Sequence, residues 1–162
     1  MARLIITRCF KSYDINAYDY DINGCGFTTL TTAAYHGEEE MLRLLCERAD
    51  VLVNKQDETG DTALYWATYT GYVGCMRILL DVGRANVNAL SYRSRTALAA
   101  YTGHLEAAAL LIERGAKVNL VNVYRETPLD RVNEFGHYSA EMVALLKSKG
   151  AKRASELPQP ST

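Results

Sequence analysis

Few residues of this chain have the types and spacing that enzyme chemistry requires. Gly24-Cys25-Gly26 begins a Gly-x-Gly segment of the kind that cradles phosphates, but Thr29 stands where the third glycine should be. The chain has no Gly-x-Ser-x-Gly, no phosphate-binding loop that ends in Gly-Lys, and no His-Glu-x-x-His. The acidic run at residues 38–40 is better placed to begin a helix than to hold a metal ion. We therefore expect no catalytic site, no metal and no cofactor.

The four cysteines do not form a metal or redox motif. Cys9, Cys25, Cys46 and Cys75 lie too far apart for a Cys-x-x-Cys pair. We expect all four to be unpaired thiols in a reducing compartment. The N-terminus has no apolar run typical of a signal peptide, and residues 107–112 fall far short of the ~20 apolar residues that cross a bilayer. These features predict a cytoplasmic or nuclear protein.

The composition is that of an ordinary globular chain. The 162 residues are 48% hydrophobic and 23% charged, and the formal net charge is −1. This length favours one domain. The nearly balanced charge predicts no bulk attraction to nucleic acid or to an anionic membrane. We therefore expect neither as a partner.

One pattern recurs four times and sets the organisation of the chain. Each copy begins with a threonine and a leucine two positions later, continues to a glycine, and then reaches a Leu-Leu or Ile-Leu pair. The copies are Thr28 with Leu30, Gly37 and Leu44-Leu45; Thr62 with Leu64, Gly71 and Ile78-Leu79; Thr96 with Leu98, Gly103 and Leu110-Leu111; and Thr127 with Leu129, Gly136 and Leu145-Leu146. The period of 31 to 34 residues is typical of solenoid proteins.

Residues 21–152 resemble the ankyrin-repeat family, whose period is about 33 residues and whose motif is Thr-Pro-Leu-His-x-Ala. The resemblance implies an all-α solenoid in which each repeat is a β-hairpin finger followed by a helix, a turn and a second helix. We predict a single ankyrin-repeat domain over residues 1–152. It begins with an N-terminal half-repeat cap at 1–20, and the repeats cover 21–56, 57–90, 91–121 and 122–152. Residues 153–162 are poor in apolar side chains and predict a disordered tail.

The second repeat shows the predicted elements most clearly. Thr62 suits a helix N-cap, and the pattern predicts a first helix over residues 63–70. Gly71 suits the C-cap of that helix. Apolar residues at helical spacing predict a second helix over residues 73–82.

The other repeats depart from the family pattern in three ways. The segment from Thr96 to Gly103 is two residues shorter than its counterparts, so this inner helix should be short or distorted. The finger glycine is replaced by Ser94 and Arg125, so the last two fingers should be looser or differently turned. The motif histidine is replaced in three copies, by Thr31, Tyr65 and Asp130.

The resemblance also implies where a partner would bind. In this family, partners meet the fingertips and the exposed side of the inner helices. The two positions before each helix-ending glycine lie on that side and contribute Tyr35, His36, Tyr69, Tyr101 and Phe135. The fingers contribute Asp61, Tyr92, Arg93, Arg95 and Tyr124. Tyrosine is enriched in binding hot spots, so we expect these rings to contact a partner; the alternative is that they fill the groove between helices. We expect Trp66 to be core.

These observations predict a non-catalytic protein–protein interaction module. It would act as a monomeric adaptor or inhibitor that binds a partner protein on its concave face and hairpin fingers. One alternative is a regulator similar to the small ankyrin inhibitors of cyclin-dependent kinases, which also have a shortened inner helix, although theirs lies in an early repeat. The other alternative is an enzyme with an unrecognised site.

Overall fold

Pairs of helices joined by short fingers follow one another along the chain. The computed structural model describes residues 14–20, 26–99, 104–134 and 140–158. Its elements are β1 (Tyr18–Tyr20), β2 (Gly26–Thr28), α1 (Thr29–His36), α2 (Glu39–Cys46), α3 (Ala63–Thr70), α4 (Val73–Asp81), α5 (Leu105–Glu113), α6 (Pro128–Glu134) and α7 (Ala140–Ser148). Short 3-10 turns occur at Tyr92–Ser94, Ala97–Ala99 and Ala154–Glu156. The predicted all-α helix–turn–helix solenoid is confirmed.

The inner helices begin at the threonines of the repeated motif. The Thr28 hydroxyl accepts a hydrogen bond from the Thr31 amide at the start of α1, and Thr62 does the same for Tyr65 in α3. Each such cap contributes about 1 kcal/mol to helix stability. Thr31, which replaces the motif histidine, returns a bond by accepting from the Thr28 amide. The two helices α1 and α3 pack against each other.

The outer helices bury the second member of each Leu-Leu or Ile-Leu pair. These residues, at the same position in four repeats, are Leu45, Leu79, Leu111 and Leu146, and each is at most 1% exposed. The outer helices α2 and α4 pack together, and α4 also contacts α5. The core is thus a continuous row of leucines, in which each repeat covers the apolar face of its neighbour.

The inner segment of the third repeat is not an α-helix where it is described. Ala97–Ala99 form a single 3-10 turn, in which the Ala99 amide bonds to the Thr96 carbonyl. Residues 100–103 lie outside the described part. The tight turn agrees with the prediction that the loss of two residues would shorten or distort this element.

The three later fingers share one closed turn. The amides of Asp57, Ser91 and Asn122 donate to the carbonyls of Asp61, Arg95 and Glu126, four residues further on. Gly60 has a φ of 80°, and its counterparts Ser94 and Arg125 have 55° and 61°. The expectation of differently turned fingers is therefore wrong, because the serine and the arginine adopt the left-handed conformation despite its steric cost.

An asparagine near the end of each repeat bonds to the next repeat. Asn88 donates from Nδ2 to the Gly115 carbonyl and accepts at Oδ1 from the Lys117 amide. Asn16, two repeats earlier, and Asn119, one repeat later, make the same pair of bonds, and Asn54 accepts from the Asn86 amide. Asn16 therefore occupies the position that ends each of the first three full repeats.

The structure describes only part of the predicted N-terminal cap and part of the predicted C-terminal tail. Residues 1–13 of the predicted N-terminal cap lie outside the described part. Residues 153–158, expected to be disordered, instead contain the turn at Ala154–Glu156. The Ala154 amide donates to the Asp130 carboxylate in α6, and this bond ties the segment to the fourth repeat. Residues 159–162 are outside the description.

Candidate functional site

Three aromatic side chains of the inner helices and one of strand β2 meet where the first two repeats adjoin. We call Phe27, Tyr35, Trp66 and Tyr69 the aromatic cluster. Trp66 lies at its centre, with ring centroids 5.3 Å from Tyr35, 5.7 Å from Tyr69 and 5.7 Å from Phe27. Trp66 is nearly perpendicular to both tyrosines, at interplanar angles of 89° and 87°. Edge-to-face contacts of this kind stabilise a fixed arrangement of rings.

A buried carboxylate holds the Trp66 ring in place. The indole Nε1 donates to Asp57 Oδ2 at 2.6 Å. The other oxygen of Asp57 accepts from the Thr59 hydroxyl and the Asp61 amide. The finger of the second repeat therefore orients the tryptophan. We expected Trp66 to be core, but it is only half-buried: it packs against the core and also contacts the exposed rings of the cluster.

The aromatic cluster opens onto a pocket. The cavity has a volume of about 540 Å³, which lies within the range of small-molecule and side-chain sites. The four rings, together with Asp19, Thr32 and His36, line it. Apolar ring surface thus forms most of the walls, and Asp19 is the one carboxylate among the lining residues that the structure describes.

Tyr35 and Tyr69 hold equivalent positions in the first and second repeats. They are 41% and 42% exposed, so each keeps a large part of its ring open to solvent. His36, beside Tyr35, is also exposed. By the repeat register, Tyr101 and Phe135 continue Tyr35 and Tyr69 into one aromatic column, but both lie outside the described residues. The structure therefore brings together the first half of that column.

The predicted contact residues of the later fingers lie in different surroundings. Tyr92 and Tyr124 are exposed. The Arg95 guanidinium lies 5.6 Å from the centroid of the Tyr65 ring, which in turn stacks on Tyr69. The side chain of Arg93 lies outside the described part.

The sequence predicts Asp61 as a contact residue, but the structure buries its side chain. It is only 6% exposed, and its carbonyl closes the turn of the second finger. Burial, followed by the neighbouring Asp57 carboxylate, raises the pKa of Asp61. A side chain this buried cannot meet a partner, so we leave Asp61 out of the binding surface.

Asp19 and Thr32 are pocket residues that the sequence analysis did not select. The signal for Asp19 was present in the repeat register, because Asp19 follows Asn16 by three positions just as Asp57 follows Asn54. Thr32 gave no comparable signal, since an exposed threonine on a helix has no distinctive pattern.

The described residues contain no arrangement typical of catalysis. No group of three histidine, cysteine or acidic side chains among them is placed to hold a metal ion. Cys46 and Cys75 are unpaired, and burial raises the pKa of each thiol to about 11. Both thiols therefore stay protonated at neutral pH and are poor nucleophiles. In the same residues, no helix is long and apolar enough to cross a membrane.

The fold and the pocket define a repeat solenoid with an aromatic inner surface. The family model described as "Ankyrin repeats (3 copies)" matches residues 2–91, and the single "Ankyrin repeat" model matches residues 97–123. The chain belongs to the ankyrin-repeat family. Ankyrin repeats are generally protein–protein interaction modules, and the family is typically non-enzymatic.

Several curated proteins share this similarity. The chain is 46% identical over 105 residues to the human "Ankyrin repeat and KH domain-containing protein 1", and 29% identical over 153 residues to the mouse "B-cell lymphoma 3 protein homolog". It is 34% identical over 116 residues to the Drosophila melanogaster "E3 ubiquitin-protein ligase Ufd4". These alignments cover 62%, 93% and 70% of this chain, but only 4%, 32% and 4% of the relatives.

Proposed function

We propose that the chain is an adaptor or inhibitor that holds one protein partner against its inner helices and fingers. It acts as a monomer, and the exposed aromatic cluster is the observation that carries the proposal. The cytoplasmic or nuclear location predicted from the sequence belongs to the same proposal. The unpaired thiols of Cys46 and Cys75 support a reducing compartment.

The rings of the aromatic cluster are suited to binding because they are already held in place. Asp57 fixes Trp66, and Trp66 contacts both Tyr35 and Tyr69. A partner that covers these rings loses little side-chain entropy on binding, since few rotamers remain to be frozen. Tyrosine and tryptophan dominate binding hot spots for the same reason.

The proposed surface extends from the pocket to the fingers. It includes the exposed His36, Tyr92 and Tyr124, and also Arg95 beside Tyr65. We keep Arg93, Tyr101 and Phe135 in the surface on the sequence pattern alone. The early repeats therefore supply the ring walls, and the later fingers supply a mixed rim of tyrosine and arginine.

Substitution of Tyr69 tests the proposal. The partner is captured from cell extract with the wild-type chain, and its affinity is then measured by calorimetry for Tyr69→Ala and for the control Tyr72→Ala. Tyr72 has similar exposure but does not line the pocket. We expect Tyr69→Ala to weaken binding by about 2 kcal/mol, and Tyr72→Ala to leave it nearly unchanged.

Thermal unfolding of the same variants separates binding from packing. Because the Tyr69 ring is about half exposed, its removal should lower stability by only about 1 kcal/mol. Intact binding together with a large fall in melting temperature would show that the ring is filler between helices, and the proposed surface would then be wrong.

A further inference from the structure

We propose that the pocket takes the cationic end of a lysine or arginine side chain from the partner. This inference rests on the proposed function, which supplies a partner segment, and it adds the chemistry that the segment must present. The geometry and charge of the pocket support it, and two internal contacts of the chain are precedents for it.

The walls of the pocket are ring surfaces set at steep angles to one another. Trp66 stands nearly perpendicular to Tyr35 and Tyr69, and it meets Phe27 at 65°. Rings in this arrangement form corners, which can surround a compact group on several sides. The face of an aromatic ring carries partial negative charge and attracts a cation.

The Trp66 indole presents ring surface and no free hydrogen-bond donor to a ligand. Its only polar hydrogen already points to Asp57 Oδ2. A neutral polar group entering the pocket would therefore lose water without gaining that bond. A cation needs no such donor, because it interacts with the ring faces and with an acid.

The charge on the pocket residues is complementary to a cation. Asp19 is the one carboxylate among the described lining residues, and it is exposed. The surrounding sequence at residues 21–56 contains six acidic and three basic side chains. Attraction from this region would favour entry of a positively charged group over a negative one.

Two contacts within the chain already pair a cation with a tyrosine ring. Lys55 Nζ lies 4.3 Å from the centroid of Tyr18, and the Arg95 guanidinium lies 5.6 Å from that of Tyr65. Both are within the distance at which a cation is attracted to a ring face. Arg95 covers Tyr65, whereas Tyr35 and Tyr69 line the open pocket and are accessible to an external cation.

The test uses N-butylguanidinium as the cation and N-butylurea as its neutral counterpart of similar shape. Trp66 is the only tryptophan, so the chain labelled with nitrogen-15 gives a single indole N–H signal that reports on the pocket. Titration should move this signal saturably with N-butylguanidinium, and N-butylurea should bind at least tenfold more weakly. Tyr35→Leu should reduce cation affinity about tenfold, and the conservative Asp19→Asn should reduce it about threefold.

The outcomes separate this inference from the proposed function. Equal binding of the urea, or no saturable shift with the guanidinium, would overturn the cation assignment. So would unchanged cation affinity in both variants, and the Asp19→Asn result is decisive if Tyr35→Leu fails to fold. If Tyr69→Ala still weakens binding of the captured partner by the expected amount, about 30-fold, the interaction surface stands and only the chemistry of its pocket is wrong.

Discussion

At the scale of single residues, Asp61 and Asp130 show that the surroundings of a carboxylate decide whether its charge stabilises the fold. Burial and the nearby Asp57 raise the pKa of Asp61 above its ordinary value of 3.8. Partial burial also acts to raise the pKa of Asp130, but hydrogen bonds from Thr127 and Ala154 outweigh it and bring the pKa below 3.8. The ionised form is therefore disfavoured by folding at Asp61 and favoured at Asp130.

Asparagine substitutions at these two positions should change stability in opposite directions. At neutral pH, folding must bury the charge of Asp61, and this penalty disappears as the pH falls through the raised pKa. Asp61→Asn should therefore raise the melting temperature at pH 7. The stabilisation from Asp130 is present above 3.8 and is lost as the pH falls through its lowered pKa. Asp130→Asn should lower the melting temperature at pH 7.

Melting temperatures from pH 7 down to pH 3 check both expectations. The difference for Asp61→Asn should shrink as the pH falls through the raised pKa of Asp61, and the difference for Asp130→Asn should shrink below 3.8, where the unfolded chain binds protons first. A difference that stays constant with pH would mean that the substitution acts through packing instead of charge.

At the scale of elements, the fingers keep one turn even where the glycine is replaced. Ser94 has a φ of 55°, and a glycine there would relieve steric strain of about 1–2 kcal/mol but add chain entropy in the unfolded state. Ser94→Gly should therefore stabilise the chain by about 0.5 kcal/mol. Gly60→Ala should destabilise it by about 1–2 kcal/mol, since the new Cβ would also lie 3.2 Å from the Cβ of Tyr92.

Urea unfolding of the two finger variants measures these differences. The two shifts should have opposite signs and leave the slope of the transition unchanged. Stabilisation by Gly60→Ala would show that the left-handed turn is not required in that finger.

The repeat-ending asparagines connect elements that are distant in sequence. Asn88→Ala removes two hydrogen bonds to the following repeat and should lower the free energy of unfolding by about 1–2 kcal/mol. Asn54 is a matched control because one bond to the next repeat is seen for it, so Asn54→Ala should cost about 1 kcal/mol. Chemical denaturation measures the free energy of unfolding of both variants. An equal or larger loss for Asn54→Ala than for Asn88→Ala would contradict this account.

At the scale of the whole molecule, stability should decrease from the first two repeats to the last two. Solenoid stability is close to a sum of repeat and interface contributions. In the first two repeats, the inner helices α1 and α3 pack against each other. In the third repeat, the described part of the inner segment is only the turn at Ala97–Ala99. We therefore expect residues 91–135 to contain the weakest joint, and the C-terminal half to open first.

Native-state hydrogen exchange locates that joint. Amides of α5 should exchange faster than those of α2 and α4, because local opening of the later repeats exposes them without global unfolding. Uniform protection across the repeats, or earlier opening of α2, would show that neighbouring contacts compensate for the short third repeat.

Much of this architecture could be predicted because the repeat pattern acts locally. Thr62 and Gly71 mark the ends of α3 through backbone hydrogen bonds within a few residues, and the helix occupies the predicted interval, Ala63–Thr70. The second leucine of each pair is buried at the same position in all four repeats. In a solenoid, each repeat meets only its neighbours, so a local pattern also determines the larger arrangement.

The sequence by itself thus determined the recurring repeat pattern and the ends of a helix such as α3. Only the tertiary structure decided which side chains share the pocket, because Asp19, Tyr35 and Trp66 come from different repeats. It also decided that Asp61 is buried and that Trp66 is half open, since both depend on the Asp57 carboxylate and the neighbouring finger. Burial and ring orientation arise from contacts between repeats, which a periodic pattern of residue types does not specify.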